Sequence, residues 1–147
     1  MTNSSLIALW AEGRTRFTKL LDAVQEAELP KKNGDSPNSA GFLIRHIAEV
    51  ELLFAKNVFG LAEVKIVAKT LIAQKDTGEW TNLAELKEIA SYSGEMIIKT
   101  ILAQTNWDEV IETKEFGKKT RAEALGRIVT HTAYHAGQLA LVLKYGK

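Results

Sequence analysis

The chain has no cysteine among its 147 residues, only two prolines and only three histidines. The first absence removes disulfides, thiolate metal ligands and a protein-borne thiol nucleophile together, and it fits a reducing compartment. Long apolar runs are missing as well. Nowhere do about 18 apolar residues follow one another without interruption, so no transmembrane helix is expected. The segment Met1 to Ser5 is polar, with no basic stretch leading into an apolar one, so no secretory leader is expected either. The expectation is a soluble, cytoplasmic protein with no membrane partner.

An excess of either charge is also lacking, since 19 lysines and arginines face 18 aspartates and glutamates. No global field therefore draws the chain toward nucleic acid, and no nucleic-acid partner is expected. Lys118, Lys119 and Arg121 form the only basic cluster and read as solvated surface. The length is that of one domain, residues 1–147, able to bury a sizeable core without staples.

Both prolines, Pro30 and Pro37, fall in one stretch that also holds Asn33, Gly34 and Asp35, which marks a loop. Before it, Leu6, Leu9, Trp10, Phe17, Leu20, Leu21 and Val24 recur at three- and four-residue steps, predicting a helix over residues 3–28. After it, Ser36 is the expected cap of a second helix, with Pro37 at the first position and an end at Phe59-Gly60. Residues 61–81 predict a short helix and a crossover. A third long helix is expected from Asn82, with Glu85 completing a capping box, to Gln104. Its Gly94 costs about 1 kcal/mol relative to alanine and points to close packing. Residues 106–119 sustain neither period and predict a loop or a short irregular hairpin. Thr120 with Glu123 forms another capping box and opens a last helix that reaches Tyr145-Gly146. The fold class expected is all-α, a bundle of four long helices with one extended crossover.

Against this scarcity, the placement of the histidines stands out. His131 and His135 are one helical turn apart, so their imidazoles leave the same face of the last helix about 6 Å apart and can aim at a common point. His46 shares the apolar stripe of Phe42, Leu43, Val50 and Leu53 on the second helix, while Ile128, Leu139 and Val142 share that of the pair. All three rings should point inward. A lone histidine on such a stripe is usually a satisfied core residue, but burying three pH-sensitive groups is costly unless they serve a purpose. The trio therefore predicts a three-nitrogen metal site with open positions. Glu49, one turn after His46, faces the same cavity as a ligand, an orienting group or a carrier of protons; its plainer alternative is a partly solvated helix residue. Gln138 is placed to hydrogen-bond the site, and Tyr134, off the histidine face, is expected to pack. Trp10, Trp80 and Trp107 are expected in the core or in cavity walls, and Arg45 and Glu51 as surface or interface charges.

The stretches from Asn38 to Glu51 and from His131 to Leu139 resemble the DinB/YfiT family, in family order and at family separation, and the similarity covers essentially the whole chain. The resemblance implies a four-helix bundle in up-down-down-up order, frequently a dimer, with a divalent metal held by His46, His131 and His135. Many relatives carry arginine directly after the final histidine, whereas this chain has Ala136, so no contact of that arginine carries over.

Three neutral imidazoles leave the charge of a divalent ion uncompensated, which lowers the pKa of a bound water toward about 7 for zinc and favours anionic ligands. Nitrogen-rich sites suit several metals, zinc and nickel foremost here. Two reactions follow. In one, activated water hydrolyses an ester or amide with Glu49 shuttling protons; in the other, a low-molecular-weight thiol is activated to attack a small electrophile. Relatives in the family look like thiol-dependent transferases and isomerases, which favours the thiol. A non-catalytic metal-binding helical dimer and a metal-free interaction module are the alternatives.

Overall fold

A computed structural model of the chain describes residues 1–114 and 116–147. Those residues form five α-helices and one two-stranded hairpin: α1 (Asn3–Ala23), α2 (Ala40–Leu53), a short α3 (Lys69–Ala73), α4 (Leu83–Ala103), strands β1 (Val110–Thr113) and β2 (Gly117–Thr120), and α5 (Arg121–Tyr145). Among the described residues, no helix is long and apolar enough to cross a membrane.

Helix starts follow the expected chemistry closely. The Asn82 side chain accepts from the Glu85 N–H at 3.1 Å and opens α4, without a return bond from the Glu85 carboxylate. Thr120 and Glu123 make the full reciprocal box at α5, with bonds of 3.1 and 2.8 Å. The second helix differs from expectation. Its cap is Ser39, which accepts from the Phe42 N–H, while Ser36 turns its hydroxyl to the Asn38 N–H and Pro37 stays in the loop. The first helix stops at Ala23, short of residue 28, because the Gln25 N–H goes to the Glu28 carboxylate instead of continuing the helical ladder. Beyond Leu53 the chain widens into a π-turn, Phe54–Val58, which the periodicity did not announce.

The segment 106–119 resolves as antiparallel strands pairing Val110 with Thr120 and Thr113 with Gly117, so the all-α expectation is amended by one small sheet. Residue 115 lies outside the described residues. Arg121 closes the base of the hairpin through its ion pair with Glu109 at 2.9 Å.

The long helices pack α1 against α4 and α5, and α2 against α4 and α5. Gly41 lets the crossover ahead of α4 lie close on α2: a Cβ there would sit 1.9 Å from the Trp80 carbonyl oxygen. The core has two apolar clusters. One gathers Phe17, Leu21, Phe42, Ile44, Ile47, Leu139 and Val142; the other gathers Leu6, Trp10, Leu52, Ile97, Ile101, Leu125 and Ile128. On every long helix a buried polar residue separates the two: Arg14, Glu51, Ser93 and Thr132.

Glu51, expected as a surface charge, is therefore fully buried. Its carboxylate accepts from Arg14 Nε and Nη2 at 3.0–3.2 Å, from Trp10 Nε1 at 3.1 Å and from Ser93 Oγ at 2.9 Å. Arg14 also donates to the Ala90 carbonyl at 2.7 Å, and its guanidinium lies beside Gly94, where a Cβ would come within 3.4 Å of it. The close packing expected at Gly94 is thus made by an arginine. Trp10 and Trp80 are in the core and Trp107 is half-buried against Phe59, as expected of core or cavity wall.

Candidate metal centre

The contact of α2 with α5 brings His46 to the pair His131 and His135, the first of which follows it by 85 residues. His46 and His131 approach Nε2 to Nε2 at 3.2 Å, and one ring nitrogen from each of His46, His131 and His135 lies within 4.8 Å of the others. Ring centroids are 4.4–5.0 Å apart. All three rings are half-buried. Nitrogens sharing one ion at about 2.0–2.1 Å, with angles of about 90–110°, would stand about 2.9–3.4 Å apart. The His46–His131 separation already falls in that range, and the donor set suits a divalent ion.

Two of the rings have their outer nitrogens engaged. His135 Nδ1 meets the Gln138 side-chain oxygen at 2.7 Å, the bond expected of Gln138. His46 Nδ1 meets Thr70 Oγ1 at 3.1 Å. Outer partners of this kind orient an imidazole and raise its basicity toward a metal. Thr70, at the start of α3, had no signal in the sequence, because its approach depends on how the crossover folds back.

Glu49 is fully buried but does not join the nitrogens. Its carboxylate accepts from the Thr70 N–H at 3.0 Å, from the Thr70 hydroxyl, and from Arg45 Nε at 3.1 Å. Glu49 thus reaches His46 through Thr70. Arg45, expected at the surface, is half-buried and also donates to the Val67 carbonyl at 3.3 Å, so one turn of α2 ties down the crossover twice.

Burial keeps the rings neutral. His46 is pushed down to about 4, chiefly by desolvation and then by the nearby His135. His131 is pushed down to about 3 by desolvation, then by His135, His46 and Arg127. Desolvation lowers His135 too, opposed by its bond to Gln138. Neutral rings offer their lone pairs at pH 7 without first losing a proton.

The same shifts set a pH dependence for the metal-free protein. Between the unfolded value of 6.5 and the folded values near 4 and 3, the unfolded chain binds protons that the folded chain refuses. This contribution to stability is therefore fully present above pH 6.5 and is lost progressively as pH falls through 4 toward 3. The slope is at most about 1.4 kcal/mol per pH unit for each refused proton, and less where solvent reaches the rings. Thermal unfolding with a chelator present, over pH 4–7, is expected to show this loss, and a His46→Gln/His131→Gln variant to flatten it. An equal slope in the variant would place the acid sensitivity elsewhere.

An open pocket of about 550 Å³ adjoins the cluster, lined by Phe54, Arg127, Thr130, His131 and Tyr134. The π-turn after α2 sets Phe54 in its wall, where the ring stacks on Phe116 at 5.6 Å. Tyr134 does not pack in the core as expected. It is 66% exposed, with its ring edge-on to His135 at 5.1 Å, and so stands at the rim of the site.

Comparison with curated proteins and with solved structures finds no match. The family model of the DinB superfamily matches residues 9–139, a span that contains all three histidines together with Glu49, Thr70 and Gln138. A chain matched over most of its length, with its three histidines gathered within reach of one ion, belongs to the DinB superfamily.

Proposed function

We propose that this protein is a divalent-metal enzyme that holds zinc or nickel on His46, His131 and His135 and transfers a low-molecular-weight thiol to a small electrophilic substrate. The observation that carries the metal assignment is the approach of His46 and His131 through their Nε2 atoms at 3.2 Å, with both rings neutral and Nδ1 of His46 engaged elsewhere. Two like dipoles set nitrogen to nitrogen are better satisfied by a shared cation than by one weak N–H···N bond. The thiol part rests on the family resemblance alone; the chain holds no cysteine, so any sulfur in the reaction would come from outside it.

In this reading the four long helices form a single four-helix bundle in up-down-down-up order, paired as a homodimer in the cytoplasm, with neither nucleic acid nor membrane as partner. The bound ion would supply Lewis-acid chemistry, lowering the pKa of the thiol so that it attacks as thiolate. The chain's own residues position and exclude. Phe54 and Tyr134 flank the approach to His131, and Arg127 sets a positive charge in the pocket wall that favours an anionic thiol or substrate. Glu49, held by Arg45 and by the Thr70 N–H, fixes the Thr70 hydroxyl against His46 Nδ1 and so orients that ring. The sulfur forms its new bond to the electrophilic carbon as that carbon's bond to its leaving group breaks; the leaving group departs with the bonding pair, and the thiol's proton passes to it or to solvent.

The test is elemental analysis of untagged protein, wild type beside the His46→Ala/His131→Ala/His135→Ala variant. About one ion per chain, lost in the variant, is expected, and turnover is then screened with thiols and with esters. No metal after reconstitution with zinc or nickel would overturn the proposal, and turnover of esters without thiol would replace transfer by hydrolysis.

A further inference from the structure

We infer that Thr70 is a positioning residue: held by Glu49, it fixes His46 with its proton on Nδ1 and leaves Nε2 bare toward His131 and His135. The inference rests on the metal site proposed above for its purpose, but its geometry stands by itself.

A threonine hydroxyl has one proton to give and lone pairs to receive with. Thr70 Oγ1 faces two partners, a Glu49 carboxylate oxygen and His46 Nδ1. The carboxylate also takes the Arg45 guanidinium and the Thr70 N–H, and a carboxylate so surrounded by donors acts as an acceptor. The hydroxyl proton therefore goes to Glu49. Only lone pairs remain for the imidazole, so His46 Nδ1 is the donor across the 3.1 Å contact and the ring's second nitrogen carries no proton. That nitrogen is the one 3.2 Å from His131 Nε2.

The device is built rather than incidental. Thr70 is 1% exposed, and its backbone and side chain bind the same carboxylate, so its hydroxyl has little freedom to turn away. Arg45 holds the crossover segment by the Val67 carbonyl and holds Glu49 by its carboxylate, so the residues that anchor the crossover also aim the hydroxyl. The crossover between α2 and α4 thus supplies part of the site's outer sphere, and the metal site is coupled to the packing of α3.

The experiment uses the full chain as wild type, Thr70→Val, which keeps shape and removes the hydroxyl, and Thr70→Ser, which restores it. Nitrogen-15 NMR of the metal-free proteins reads the tautomer of His46 directly. Zinc affinity is read separately by competition with a chromophoric chelator. The wild type and the serine variant are expected to carry the His46 proton on Nδ1. The valine variant is expected to shift it toward Nε2 and to lose about 10–100-fold in zinc affinity, the usual cost of losing an outer-sphere partner. A wild-type proton on Nε2, or an unchanged tautomer in the valine variant, would overturn the inference. So would a serine variant as weak as valine. If wild-type protein failed to bind zinc at all, the metal proposal would fall, while the tautomer would still decide the role of Thr70.

Discussion

His131→Ala is expected to abolish the rise in unfolding temperature that zinc gives the wild type. A ligand that binds only the folded chain stabilises it by about 4 kcal/mol when present at about 1,000 times its dissociation constant, a shift of about 8–16 °C for a chain of this size. Losing an outer-sphere partner typically weakens a metal site about 10–100-fold, and losing a ligand costs more. A loss of 100-fold would leave about 1.4 kcal/mol at the same zinc concentration, and a larger loss would leave nothing measurable. His135→Ala is expected to behave alike, since the ligand atoms of the two rings and of His46 lie within 4.8 Å of one another. Helicity should survive both changes, because the two rings are half-buried and stand outside both apolar clusters. Below pH 6.5 the metal-free His131→Ala protein should be less acid-sensitive than wild type, for it no longer buries a ring that refuses its proton. Scanning calorimetry with and without zinc checks all of this. A full zinc-dependent shift in both variants would remove these histidines from the site.

The three histidines were legible because two signals were local, one pair at a one-turn spacing and one ring on an apolar stripe; the contact of α2 with α5 that joins them was an inference from the pattern of the two helices. Caps were legible for the same reason, since Asn82 and Thr120 find their partners three residues away. Ser36 misled because Ser39 offers the same chemistry three residues later, and the chain between them bends at Pro37 before the helix begins. The hairpin was legible only as irregular. Its strands have no face that packs in the core, so there was no alternation to read. Thr70 was out of reach, because 24 residues and an irregular crossover lie between it and the ring it serves. The π-turn and the place of Phe54 and Tyr134 at the pocket rim depend on helix offsets that no period encodes.

Glu51 is a different kind of miss, since its signal was present. On α2 it falls in the row Ile44, Ile47, Glu51, Ala55, whose other members are all fully buried. On α1, Arg14 interrupts the row Trp10, Arg14, Phe17, Leu21 in the same way. Opposite charges that each break an apolar row on two helices can be buried only if they meet, and they do, at 3.0 Å. The consequence is large. Glu51→Ala would leave a buried guanidinium without its carboxylate and the Trp10 N–H without its acceptor, while the Ser93 hydroxyl keeps only the Ala90 carbonyl at 3.0 Å. Breaking a buried pair from one side costs about 3–5 kcal/mol, or about 6–20 °C in unfolding temperature for a chain of this length. The double change Arg14→Met/Glu51→Leu removes both charges and is expected to recover most of that loss, since apolar replacement of a buried pair is often neutral. Urea unfolding of the single and double variants measures the coupling. A surface carboxylate would lose less than about 1 kcal/mol on truncation, and a loss that small would show that Glu51 is not buried with Arg14 in solution. Zinc stoichiometry should stay unchanged in any of these variants that remains folded. The ion pair bonds α1 to α2 and α4 across the polar layer, while the histidines face one another between α2 and α5. Joining the helices across the core and holding the proposed ion therefore fall to separate residues.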